Sequence, residues 1–187
     1  VPHLPLGSLG EQIAVAVSQV PEKPVWAVIQ AMDWRDYPQR DPKKPRVGRF
    51  PTRRELRFMA YHAVVRGASG VFFYKFSRHG HDGVTLLDNP EHWQALRSVS
   101  KELSVIRPFL EAGKGERLTV GEVEGMRWRK GGMELVALLN SGATAQPLPD
   151  DYKGDRFKPL FEASLHTSEA VPSSLLRPYQ VLVLVAK

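Results

Sequence analysis

Val25-Trp26-Ala27-Val28-Ile29-Gln30-Ala31-Met32 is a short, almost unbroken apolar run lying between Pro24 and Asp33. A run of this kind, with β-branched residues in it, reads as a strand buried on both faces, which is the habit of parallel sheets. A second run follows at Gly70-Val71-Phe72-Phe73-Tyr74-Lys75-Phe76. Between the two, Leu56, Met59, Ala60, Ala63 and Val64 fall on one stripe of a helix. Thr52-Arg53-Arg54-Glu55 has the form of a capping box at its start, and Gly67 fits the residue just past its end. Strand, helix and strand in this order make a βαβ unit.

Working outward, Ser8-Leu9-Gly10-Glu11 also has the form of a capping box. Leu9, Ile13, Ala16, Val17 and Val20 continue from it at helical spacing, and Pro21 to Pro24 closes that helix. On the other side Asn89 can cap a third helix with Pro90 at its first position. Trp93, Leu96, Val99, Leu103 and Ile106 mark its buried stripe, and Pro108 with Gly113 to Gly115 is expected to end it. The texture then changes. Leu118–Val123, Gly125–Arg129, Met133–Leu139, Phe157–Phe161 and Tyr179–Val185 read as strands, with a hairpin turn at Lys130-Gly131-Gly132. Pro159 places its strand at a sheet edge. Glu122, Glu124 and Glu134 fall at alternating positions, the pattern of a solvated face.

The composition narrows the chemistry. The 187 residues contain no Cys, which excludes disulfides, thiolate zinc sites and Cys nucleophiles. No apolar run approaches the ~20 residues of a membrane span, so no membrane partner is expected. Val1 stands where a start Met would be, and an upstream segment is expected. The compartment, secreted or cytoplasmic, stays open. The net charge of +6 is concentrated between Arg35 and Arg54, where eight basic residues meet two acidic ones. Pro38, Pro42, Pro45, Gly48 and Pro51 make this stretch a loop. It has no interleaved aromatics on which bases could stack, so nucleic acid is not the expected partner.

Lys23 to Ala31 resembles the seventh strand of (β/α)8-barrel glycoside hydrolases and their relatives. Phe50-Pro51-Thr52, Glu55-Leu56-Arg57, Ala60-Tyr61 and Gly67-Ala68-Ser69-Gly70-Val71 resemble the helix and the strand that follow it. Trp93 to Leu110 is similar to the closing helix, and the strand ending at Val185 to the last strand of the β-sandwich that often follows such barrels. The resemblance implies an α/β plus all-β chain: residues 1–112 as the last β/α units of a (β/α)8 barrel, and residues 116–187 as a small antiparallel β-sandwich accessory domain. A complete barrel has eight strands and takes roughly 250 residues. The expectation is therefore the C-terminal portion of a carbohydrate-active enzyme, a glycoside hydrolase inactive as this fragment alone. Its partners would be a carbohydrate substrate and the missing N-terminal barrel segment, or another chain completing the fold. Two isolated parallel strands would leave Trp26, Val28 and Phe72 uncovered. The alternative is a compact two-layer α/β unit.

Barrel enzymes keep their sites at the C-terminal ends of the strands. That selects Gln30, Asp33, Trp34 and Arg35 after the first run, and Tyr74, Lys75, His79, His81 and Asp82 after the second. Asp33 is the carboxylate nearest the first strand end and is the candidate catalytic residue. The others are candidate substrate contacts. Gln30 stands where many such barrels carry the nucleophilic Glu, and an amide cannot serve there. Of Tyr74 and Lys75, one faces the interior. His79-Gly80-His81-Asp82 has no helical spacing to converge metal ligands, so no metal is expected, and no cofactor. His62 and His92 read as structural. Two rival functions stay in view: a non-catalytic carbohydrate-binding or assembly module, and a polyanion-binding protein using the Arg35–Arg54 loop.

Overall fold

The computed structural model describes residues 5–33, 48–75, 88–161 and 174–187. The chain divides into two compact units, Val1–Ser100 and Lys101–Lys187.

The first unit holds α1 (Ser8–Gln19), β1 (Trp26–Gln30), α2 (Arg53–Val65), β2 (Gly70–Tyr74) and the start of α3 (Pro90–Leu110). β1 and β2 pair in parallel, from Trp26 opposite Gly70 to Gln30 opposite Tyr74. α2 begins with the full capping box. Glu55 N donates to Thr52 Oγ1 at 3.3 Å, and Thr52 N donates to Glu55 Oε2 at 2.8 Å. Gly67 follows it at φ +100°, a conformation that a Cβ disfavours. The box expected at Ser8 does not form. Ser8 is already helical, its hydroxyl donates back to the Pro5 carbonyl at 2.8 Å, and Glu11 N donates to the Gly7 carbonyl instead. At the start of α3, Asn89 Oδ1 accepts from His92 N at 3.3 Å. α3 runs through Pro108 to Leu110 rather than stopping there. In a last turn a proline forfeits only one helical bond.

Alternation along β1 and β2 divides their side chains between two faces. Ala27 and Ile29 are buried, and Ala27 packs with Ile13 of α1 and Ala63 of α2, joined by Leu9, Val17, Val25 and Ala68. The other face carries Trp26, Val28 and Gln30 beside Phe72 and Tyr74. There Trp26 is 56% exposed, Val28 57%, Phe72 50% and Tyr74 47%. Trp26 and Phe72 lean together with ring centroids 4.9 Å apart. The apolar surface expected to lie open on a lone parallel pair does lie open. Among the described residues the parallel sheet has these two strands, and no barrel closes.

The second unit is built on an antiparallel sheet of β3 (Glu116–Val120), β4 (Val123–Lys130), β5 (Met133–Asn140), β7 (Lys158–Pro159) and β9 (Val181–Ala186), in the order β3-β4-β5-β9-β7. A ribbon of β6 (Gln146–Pro147) and β8 (Leu175–Leu176) forms a second, small sheet. The first expected strand ends at Val120 because Gly121, at φ +60°, makes a tight hairpin to β4. The last begins at Val181, after Tyr179 turns at φ 57°. β7 is an edge strand, as its proline requires.

The core of this unit joins sheet to ribbon. Val136, Leu138, Leu182 and Leu184 pack with Leu148, Tyr152, Phe157 and Leu176. Asn140, fully buried, fastens the two: its Nδ2 donates to the carbonyls of Thr144 (2.7 Å) and Leu176 (2.9 Å), and its Oδ1 accepts from Gly142 N at 2.9 Å. The solvated acidic face expected of Glu122, Glu124 and Glu134 is only partly present. Glu122 accepts from Gln146 Nε2 at 2.6 Å, Glu124 is half-buried, and Glu134 is held by Arg129 and Arg156, each at 3.0 Å.

Candidate functional site

β1 and β2 end side by side. Gln30 lies opposite Tyr74, and Ala31 N donates to the Tyr74 carbonyl at 2.5 Å, which carries the pairing one residue past the strand. Their shared register gives Tyr74 its face. Tyr74 falls on the open face with Gln30, Val28 and Phe72, while Lys75, half-buried, lies just beyond the strand end. Gln30 is half-buried, and its Nε2 donates to the Met32 carbonyl at 3.0 Å. One of its amide hydrogens is thus committed to the backbone, and Gln30 has partners besides this one.

Asp33 follows three residues after the end of β1 and is 3% exposed. A buried carboxylate is costly unless it is compensated, and Asp33 does have partners. The loop leading into α2 and the first turn of α3 supply the charged groups around this end. Arg49 grips Glu55 with both terminal nitrogens, each at 2.6 Å, and its Nη1 also donates to the Phe50 carbonyl at 3.0 Å. Burial works against the charged form of Glu55. The Arg49 guanidinium and the Thr52 N–H outweigh it and hold the carboxyl below its ordinary range. The hydrogen bond that Arg49 donates to Glu55 in turn raises the pKa of the guanidinium. Glu55, engaged on all sides, is therefore a structural carboxylate and a poor proton donor.

His92 completes the group. Its ring stands edge-on to Phe50, with centroids 4.3 Å apart. Burial pushes its pKa below the ordinary value; Glu91 and Asp33 pull upward, and Arg49 pushes further down. The neutral imidazole also suits a helix N-terminus, where a cation is disfavoured. By sequence alone His92 reads as structural. Its nearness to Asp33 has no local signature, because it depends on α3 folding back beside the end of β1. Chemically, the described groups at this end are a buried carboxylate, a neutral imidazole, an amide and a phenol.

Trp34, Arg35, His79, His81 and Asp82, the remaining predicted contacts, lie outside the described residues, as does most of the Arg35–Arg54 loop. Among the described residues no group of three or more His, Asp or Glu is placed to hold a metal ion. No described helix is long and apolar enough to cross a membrane. In the second unit Trp128 is buried, so it offers no flat platform to a sugar ring.

No protein-family model matches the chain. No curated protein matches it either. Among solved structures it has a weak likeness to a variant of AmyP in complex with maltotriose, at 12% identity and a TM-score of 0.47 over 71% of this chain and 35% of that one. A second weak likeness is to the Nostoc punctiforme debranching enzyme soaked with acarbose, at 16% identity and a TM-score of 0.38 over 68% of this chain and 29% of that one. The chain thus spans about a third of the length of these two structures. Both TM-scores fall below the level at which a shared fold can be argued, and the site stands on the chain's own geometry.

Proposed function

We propose that this chain is the C-terminal portion of a carbohydrate-active enzyme that hydrolyses glycosidic bonds. Its first unit supplies the last strands of a (β/α)8 barrel, and its second unit is a β-sandwich-type accessory domain. The observation that carries the reading is the half-covered parallel pair. Helices cover one face of β1 and β2, while Trp26, Val28, Phe72 and Tyr74 are about half exposed on the other. Parallel strands are normally covered on both faces. Covering what these four side chains expose would contribute about 3–6 kcal/mol, taking half of the ~1.5–3 kcal/mol that full burial of each gives. Further strands of a barrel are the cover that also pairs the free edges of β1 and β2.

In this reading the open face lines the barrel interior, and Gln30, Asp33 and Tyr74 stand at the end where barrel enzymes hold substrate. Gln30 and Tyr74 contact sugar hydroxyls. Asp33 is the catalytic carboxylate, acting on the bond or on a water, and its counterpart comes from an earlier strand. Hydrolysis needs that second carboxyl group. Glu55 does not supply it, because Arg49 and the cap of α2 hold it ionised.

Light scattering and calorimetry on the 187-residue chain test the incomplete sheet. The expected result is self-association, or stabilisation by the missing segment. A monodisperse monomer with one sharp melt refutes it. In the completed protein, Asp33→Asn should lower release of reducing sugar by at least ~100-fold, the scale on which acid–base groups act. Activity within a few fold of the parent removes Asp33 from the mechanism. A second reading, a non-catalytic carbohydrate-binding module, is favoured by the amide at Gln30, where a nucleophile would otherwise stand. It predicts sugar binding without turnover.

A further inference from the structure

On the second unit a cavity of about 140 Å³ opens beside the β3–β4 hairpin, lined by Ala112, Gly113, Lys114, Glu116, Arg127 and Arg129. Three cationic side chains line it with one carboxylate, Glu116, while a second, Glu134, bonds Arg129 from outside the lining. Arg127 and Arg129 lie on one face of β4, opposite Val136 and Glu134 of β5, yet the structure treats them differently. Arg129 is well exposed, whereas the Arg127 side chain is only 19% exposed.

A guanidinium carries five N–H donors and no acceptor. Arg127 Nη2 donates to the Tyr152 hydroxyl at 3.0 Å. Its Nη1 reaches Glu116 Oε2 only at 3.5 Å, and its buried Nε has no hydrogen-bond partner. Arg129 Nε donates to Glu134 at 3.0 Å, and its Nη1 stands 3.4 Å from the same Glu116 oxygen. Charge-assisted bonds of this kind normally measure about 2.7–2.9 Å. One oxygen of a half-exposed carboxylate is therefore shared between two guanidiniums and close to neither. The chain before β3 leaves the mouth open: Gly113 lies at φ +151°, with nothing near the place a Cβ would take.

We propose that this cavity binds a phosphate-type oxyanion between Lys114, Arg127 and Arg129, and that Glu116 occupies the two arginines when the anion is absent. A tetrahedral anion has oxygens enough to serve both guanidiniums and the ammonium at once. One carboxylate oxygen held at 3.4–3.5 Å does not. The volume admits a phosphate group, so a larger ligand such as a hexose phosphate would leave its sugar outside.

The test is calorimetric titration of the 187-residue chain with inorganic phosphate and, separately, with a hexose monophosphate, with sodium chloride at matched ionic strength as the control. Saturable phosphate binding is expected, accompanied by a shift of the Arg127 Nε–H resonance. Lys114→Gln and Arg129→Gln should each weaken it about tenfold, the scale of one charge-assisted hydrogen bond. Glu116→Gln removes the competitor and should tighten binding severalfold. Tighter binding of the hexose phosphate would make a phosphorylated sugar the ligand, and equal binding would make it the free anion. The proposal is overturned if phosphate produces no more than chloride does, or if Glu116→Gln binds no more tightly than the parent.

Discussion

Replacing Gly10 with Ala should destabilise the first unit, although alanine is the better helix former by about 1 kcal/mol. Gly10 is buried in the first turn of α1, directly over the imidazole of His62 in α2. A methyl group there would lie 2.2 Å from His62 Cε1 and 2.4 Å from Nδ1. Ordinary contact begins near 3.4 Å, so the ring would have to retreat by more than an ångström. It has little room. His62 is 1% exposed, stacks at 5.1 Å on Phe58, and accepts from Arg66 Nε at 3.2 Å. Overpacking of this kind costs about 1–3 kcal/mol. Set against the helix gain, a net loss of up to about 2 kcal/mol is expected. Urea unfolding followed by far-ultraviolet dichroism gives the midpoint, and His62→Ala made alone and with Gly10→Ala completes a double-mutant cycle. The double variant should lose less than the sum of the two single changes, because the methyl then meets empty space. A higher midpoint for Gly10→Ala, or strict additivity in the cycle, refutes the packing account.

Two further outcomes rest on the same kind of close packing and on the buried charges of the first unit. Gly125→Ala in β4 would place its methyl 2.4 Å from the Ala137 carbonyl oxygen, a backbone atom of the neighbouring strand that cannot rotate away. A loss of about 3 kcal/mol or more is expected, at the top of the overpacking range, and a change below about 1 kcal/mol by chemical denaturation counts against the register of β4 and β5. The acid response should have two steps of the same sign. His92 is held below its ordinary value of 6.5, so the unfolded chain takes up its proton first and stability falls as pH drops below about 6.5 towards the folded value. Glu55 is held below 4.5; its contribution is complete above that value and is lost as pH falls through the folded one. In stability measured against pH, His92→Gln should remove the upper step and keep the lower, and an unchanged profile in that variant refutes the assignment.

The βαβ unit was legible because each of its parts has a local cause. Val25 to Met32 and Gly70 to Phe76 are apolar runs of strand length, and the Thr52–Glu55 box is a pattern of spacing alone. The Ser8 box has the same spacing and does not form, since the Ser8 hydroxyl finds the Pro5 carbonyl first. Spacing does not record that competition. Asp33 could be singled out by its place after a strand, and Tyr74 could be assigned a face only once the register with Gln30 was known. His92 and Arg127 lay beyond sequence reasoning for one reason. Each is defined by groups distant along the chain, His92 by Asp33 and Arg49, and Arg127 by Tyr152.

β5 is buried without interruption from Leu135 to Asn140. A strand with one wet face reports a one-residue slip at once, because its apolar set swings into water. β5 has no such alarm: slipped by one, it would still bury Leu, Val and Ala. Its alignment must be enforced from outside the hydrophobic pattern. Gly131 and Gly132, both at positive φ, lock Lys130 opposite Met133. Gly125 admits only a close-lying carbonyl beside it, and Asn140 bonds correctly from a single position. An added residue in that two-glycine turn would therefore be more harmful than its exposed location suggests. It would leave an apolar ribbon free to settle in the wrong alignment, with no exposed side chain to betray the error.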